Sequence, residues 1–180
     1  MTVVHRRWSL LAAVVVTIIA ATASATTMRR ASVEELARAS DAVVRGRVVS
    51  VSAERRAVNG RDGIYTTVRV AVDAWWVGGG AEAVNFVVHG GQVGDDIARV
   101  HGQATFTAGE RVVVFLFRGG DVLWPTGMCQ GKWRIRDGEA WSATDPSAVG
   151  GQGGLMSTVP EAMSVTRLRE RVRAAAGARR

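Results

Sequence analysis

The chain has 180 residues, 47% of them hydrophobic, with 21 glycines, one cysteine and a formal charge of +7. That apolar content argues against wholesale disorder, one cysteine excludes an internal disulfide framework, and the glycine content suits an all-β fold with many turns. The excess charge is largely arginine, much of it near the C-terminus, and without basic-aromatic interleaving it reads as a solvated helix face and not as a nucleic-acid surface.

Residues 1–25 read as a secretory leader. Arg6 and Arg7 supply a positive start, Ser9–Ala21 an apolar stretch too short for a comfortable membrane span, and Ala23-Ser24-Ala25 a small-x-small cleavage site. The expected mature chain begins at Thr26, carries no further transmembrane segment, and is exported to the periplasm or beyond. Ser32-Val33-Glu34-Glu35 matches a capping box and predicts a short helix ending near Ser40.

Ala42–Val51 is the first predicted strand, with Gly46 marking a bend or bulge where the apolar alternation shifts and moves Val49 and Val51 to the side of Arg45 and Arg47. Ser52–Asn59 is polar, and Asn59-Gly60-Arg61-Asp62-Gly63 predicts a hairpin loop. Ile64–Val77 alternates with Val68, Val70 and Val72 inward, a period that carries Trp76 inward and Trp75 outward. A third strand is expected over Ala83–His89. Gly90–Phe106 then reads as a long irregular connection, of the kind that is usually functional or disordered.

Val112–Phe117 is six successive apolar residues after Gly109-Glu110-Arg111, the pattern of a central strand covered on both faces. Val122-Leu123-Trp124 is a short strand stopped by Pro125. Gly131–Arg136 and Glu139–Ser142 form a hairpin on the Asp137-Gly138 turn. Residues 144–160 read as a flexible linker, and 161–180 as a basic amphipathic helix and tail, capped by Ser164, with Val165, Leu168 and Val172 on its apolar side and Arg167, Arg169, Glu170, Arg171 and Arg173 on its wet side. The domain proper is thus expected over 26–143, as a small OB-like Greek-key barrel of about six or seven strands with a short helix before it.

Candidate chemistry is sparse. Cys129 invites a thiol nucleophile with His89 or His101 as base and Asp95 or Asp96 as orienting carboxylate, but no local signature surrounds it, and a buried thiol is the favoured reading. An exported unpaired cysteine also invites a mixed disulfide with a partner. His89, Asp95, Asp96 and His101 match no zinc spacing, and the alternating acidic pattern of a calcium loop is missing, so no metal is expected. Gly90-Gly91-Gln92-Val93-Gly94 lacks the lysine and hydroxyl of a phosphate loop, so no cofactor is expected. Trp75, in its outward register, and Gln92, Asp95, Asp96 and His101 of the long connection make up the candidate binding surface.

Ser40-Asp41-Ala42-Val43-Val44-Arg45-Gly46-Arg47-Val48, the Thr66–Ala74 strand running into Trp76-Val77-Gly78, and Gly109-Glu110-Arg111-Val112-Val113-Val114-Phe115 resemble the netrin-type module, the OB barrel shared with the tissue inhibitors of metalloproteinases. The segment Gly127-Met128-Cys129-Gln130-Gly131-Lys132-Trp133 is similar to exported bacterial proteins. The resemblance implies a binding domain without catalytic residues. It does not extend to zinc-directed inhibition, because those inhibitors use an N-terminal cysteine and several disulfides, whereas the expected terminus here is Thr26. The expected function is an exported, non-enzymatic binding module for a protein or extracellular polymer. The alternatives are an envelope accessory protein whose terminal helix docks on an anionic surface, and a Cys129-dependent hydrolase.

Overall fold

A computed structural model of the chain describes residues 30–143 and 160–178. The leader expected over 1–25, its cleavage point and nearly all of the linker lie outside these residues. Ser32 caps α1 (Val33–Arg38) as its sequence dictates: its Oγ accepts from the Glu35 N–H at 3.2 Å while the Glu35 carboxylate accepts from the Ser32 N–H at 2.8 Å. Then come β1 (Ala42–Val58), β2 (Arg61–Val77), β3 (Ala83–His89), β4 (Gly91–Val93), β5 (Asp96–Ala98), β6 (Arg111–Gly119) and β7 (Val122–Pro125). A 3-10 turn (Met128–Gly131), β8 (Lys132–Arg136), β9 (Glu139–Ser142), β10 (Ala162–Ser164) and α2 (Val165–Gly177) complete the described chain.

The protein is all-β with a short helix at each end. One antiparallel sheet runs β10-β9-β8-β6-β1-β2-β3, with β7 also paired to β6, and β4-β5 form a separate two-stranded ribbon. The ten described strands exceed the six or seven expected, because the long connection supplies β4 and β5 and the terminal segment supplies β10. β6 is the innermost member. It pairs with β1, with β8 at Val112–Val114, and with β7 at Leu116–Gly119. Its side chains alternate between two cores. Val113 and Phe115 pack with Trp76, Trp133, Leu36 and Leu168 beneath the two helices, while Val112, Val114 and Leu116 pack with Val44, Val48, Val70 and Phe86 on the other face.

β3 and β7 lie against each other although β2, β1 and β6 separate them along the sheet. That contact requires the sheet to curl. Aromatic side chains make it, with the Trp124 ring stacked on His89 at 4.5 Å and edge-on to Tyr65 at 6.1 Å. Among the described residues no hydrogen-bonded ladder joins β3 to β7, so the sheet curls toward a barrel without a backbone seam.

Three sequence expectations need correction. The first strand does not stop at Val51: β1 runs on to Val58, and Val58 pairs with Arg61 across a two-residue Asn59-Gly60 turn in which both φ angles are positive. The β1–β2 pair is therefore a long arm whose far half, Ser50–Val58, has only β2 as its sheet partner. The connection over 90–106 is not wholly irregular, since it contains the β4-β5 ribbon. The terminal segment does not stand apart as a basic tail. β10 extends the sheet, α2 buries Leu168, Val172 and Ala175, and Arg171 on its supposed wet side grips Glu34 of α1 (2.7 and 2.8 Å) and Glu161 (3.0 Å).

Candidate functional site

The β4-β5 ribbon leans on the arm because backbone and side chain both bind it there. The Gly90 N–H donates to the Ile64 carbonyl at 2.9 Å, and Thr66 Oγ1 donates to the Gly90 carbonyl at 2.7 Å. Arg55, on the arm, donates to Asp96 at 2.7 Å. A side chain at Gly91 would run into Thr66 and Ala53, and its φ of 138° lies where side chains are rarely tolerated, so glycine is what allows the close approach.

Between arm and ribbon runs a groove of about 570 Å³, lined among others by Val51, Gln92, Ile97, Val100 and His101. Three large apolar side chains on its walls face water: Ile97 (55% exposed), Val100 (42%) and Val51 (38%). Val49, two positions before Val51, is exposed as well. The register shift between Val48 and Ser50 leaves Val49 without a partner on β2 and sets Val51 opposite Val68. Scattered surface hydrophobes are ordinary, but a cluster around one concavity marks an interaction surface.

A second cavity, also of about 570 Å³, opens where the tip of the arm meets β7. Arg61, Tyr65, Phe117 and Trp124 line it, and His89 and Gln103 line both cavities. Partial burial, and then the nearby Arg61 charge, hold the His89 imidazolium below its ordinary pKa.

The predicted surface is thus only partly assembled. Gln92 and His101 meet on the groove. Asp96 is engaged by Arg55, and Asp95 is exposed in the ribbon turn, among none of the described cavities' walls. Trp75 lies elsewhere, roughly 30 Å along β2 from the groove residue Thr66 at the usual rise per strand residue. It is half-buried, it packs against the Val70 core, and its indole N–H donates to the Ala81 carbonyl at 3.2 Å. The outward assignment fails because β2 shifts register against β1 on either side of Trp75, which sends Trp75 to the Val70 face and Trp76 beneath the helices.

Cys129 sits buried in the 3-10 turn, its N–H donating to the Gly102 carbonyl at 2.9 Å. It lines a third cavity, of about 700 Å³, with Arg134, Glu139 and Trp141 and without either His89 or His101. The cavity that Cys129 lines is thus one that neither imidazole lines, and among the described residues no three His, Cys, Asp or Glu side chains are grouped as a metal site. Val51, Ile97 and Val100 were missed as site residues; the sequence signal for Val51 was the break in apolar alternation along β1, and Ile97 and Val100 had only their place in the long connection. Comparison of the chain with protein-family models, with curated proteins and with solved structures gives no match.

Proposed function

We propose that the chain is an exported, non-enzymatic binding module whose groove between arm and ribbon takes another protein or an extracellular polymer. The observation that carries this reading is the gathering of exposed Ile97, Val100 and Val51 around one concavity. The leader-like residues 1–25 support export, and the netrin-like segments support a binding role on an OB-type scaffold. The test is an Ile97→Ser/Val100→Ser variant, whose exposed positions leave stability nearly unchanged. Wild-type protein immobilised on resin is expected to retain a discrete protein or polysaccharide from cell-envelope extract, and the variant is expected to lose it. Equal retention by both would sink the proposal.

A second reading has its own support. Arg167, Arg169 and Arg173 stay exposed along α2, a row of cations suited to an anionic surface. Salt-sensitive sedimentation with anionic vesicles, weakened by neutralising all three, is the outcome that reading requires.

A further inference from the structure

The cavity at the tip of the arm is built differently from the groove. Half of the polar side chains on its wall are already satisfied from within. The Asn59 amide and the Trp124 indole N–H both donate to the Gly119 carbonyl (2.8 and 3.2 Å), and the Tyr65 hydroxyl donates to the Arg61 carbonyl at 3.1 Å. Three polar side chains on its wall make no hydrogen bond to another described residue: the Arg61 guanidinium and the His89 imidazole, both exposed to water, and the half-buried Gln103 amide. All three can donate. No carboxylate lines the cavity, so the Arg61 guanidinium has no acidic partner on its wall. The rest of the wall is apolar, with Val58, Phe117, Pro125 and Met128 joining the aromatic rings.

We propose that this cavity binds a small amphiphile, an apolar body carrying one anionic group, with Arg61, His89 and Gln103 receiving the anion and Phe117 and Met128 the body. An anion would make charge-assisted bonds to Arg61 with no carboxylate on the wall to compete for it, and a volume of about 570 Å³ falls within the range of small-molecule sites. A neutral sugar would have to stack on Phe117, because the larger Trp124 ring is not open to it. Trp124 is 8% exposed and its ring is stacked on His89. The site is separate from the proposed partner groove, although His89 and Gln103 stand between the two.

The test uses the purified full chain with 1-anilinonaphthalene-8-sulfonate, a fluorescent apolar anion, and competition by decanoate, decanol and decyltrimethylammonium. One saturable site is expected, displaced by decanoate but by neither the alcohol nor the cation. Arg61→Met is expected to weaken both anions about tenfold or more, the scale of one lost charge-assisted hydrogen bond. Arg61→Lys should recover most of that loss, and an unchanged unfolding midpoint would show that neither variant is misfolded. Ile97→Ser/Val100→Ser should leave dye binding intact, which separates this site from the groove. The inference is overturned if no saturable site exists, if decanol competes as well as decanoate, if Arg61→Met binds like wild type, or if only the groove variant loses the dye.

Discussion

Lys132 is the sharpest point at which to test how the loop before β6 is held. It is 1% exposed on β8, and its Nζ donates to the Thr105 carbonyl and to Glu110 at 2.7 Å while lying 4.6 Å above the Phe106 ring. Burial lowers its pKa, and the Glu110 carboxylate works against that shift. Replacing it in Lys132→Met keeps most of the apolar stem. Truncating one member of a buried ion pair typically costs about 3–5 kcal/mol because the other charge is stranded. Here Glu110 is not stranded, since it keeps Arg134 at 3.0 Å and the Thr107 N–H at 3.0 Å. What is lost is two charge-assisted hydrogen bonds, about 1.5–3 kcal/mol each, and a cation–π contact of about 0.5–1 kcal/mol. Relief of the ammonium's desolvation, several kcal/mol, opposes this. The net expectation is a loss of about 1–3 kcal/mol. With a urea slope near 2 kcal/mol/M, the unfolding midpoint should fall by about 1 M. Amide exchange over 105–110 should quicken more than over β6. A midpoint equal to or above that of wild type, with exchange in the loop unchanged, would refute the idea that the ammonium latches Thr105 to Glu110.

Two further perturbations probe the scaffold. Gly46→Val would place a Cβ against the Ala71 carbonyl and within 2.7 Å of the Val70 side chain, at a register shift of the longest strand pair; a loss of about 3 kcal/mol or failure to fold is expected, and an unaltered thermal midpoint would count against the close approach. Arg171→Met removes the fork joining α2 to Glu34 and Glu161, a half-exposed network worth about 1 kcal/mol. The Arg171 hydrogen bond is the main cause of Glu34's lowered pKa. That contribution is fully present above the unfolded value near 4.5 and is lost as pH falls through the lower folded value, so wild type should outlast the variant most clearly above pH 4.5 and converge with it in stronger acid. Parallel unfolding curves at every pH would remove Arg171 as the cause.

Local chemistry explains what was legible in the sequence. Asp137-Gly138 announces a two-residue turn, and the longer loop read over Asn59–Gly63 contracts to Asn59-Gly60; all four residues of the two turns adopt positive φ. Val112–Phe117 announces a strand with two buried faces, and most of its side chains do fill two separate cores. Residues 52–57 announce nothing, because both faces of the outer arm are largely exposed and no hydrophobic period is written there. Pairing and the turn, not burial, keep that stretch extended. Trp75 shows the other failure. Period-two counting assumes an unbroken register, yet β1 and β2 slip at Val43/Val44 and again at Arg45/Gly46. Each slip reverses which side chain faces in. Gly46 signalled an irregularity, but the extra residue there is Asp73 on the partner strand, which could not be read from β2 alone.

The groove lies between these two cases. Gln92 and His101 fall in a connection whose length and glycines already singled it out, whereas Val51 comes from an arm that the sequence ended too soon. What joins them is the approach of Gly90 and Gly91 to Ile64, Thr66 and Ala53, a contact across the fold with no local pattern. The approach depends on the arm being long, and the arm is long because the Asn59-Gly60 turn closes it eight residues beyond Val51. The exposed apolar walls therefore sit on the part of the molecule that adds least to the two cores. Substitutions at Ile97 and Val100 can alter recognition without loosening β6, and the same separation keeps the Arg61 cavity, at the far end of the arm, open to an independent test.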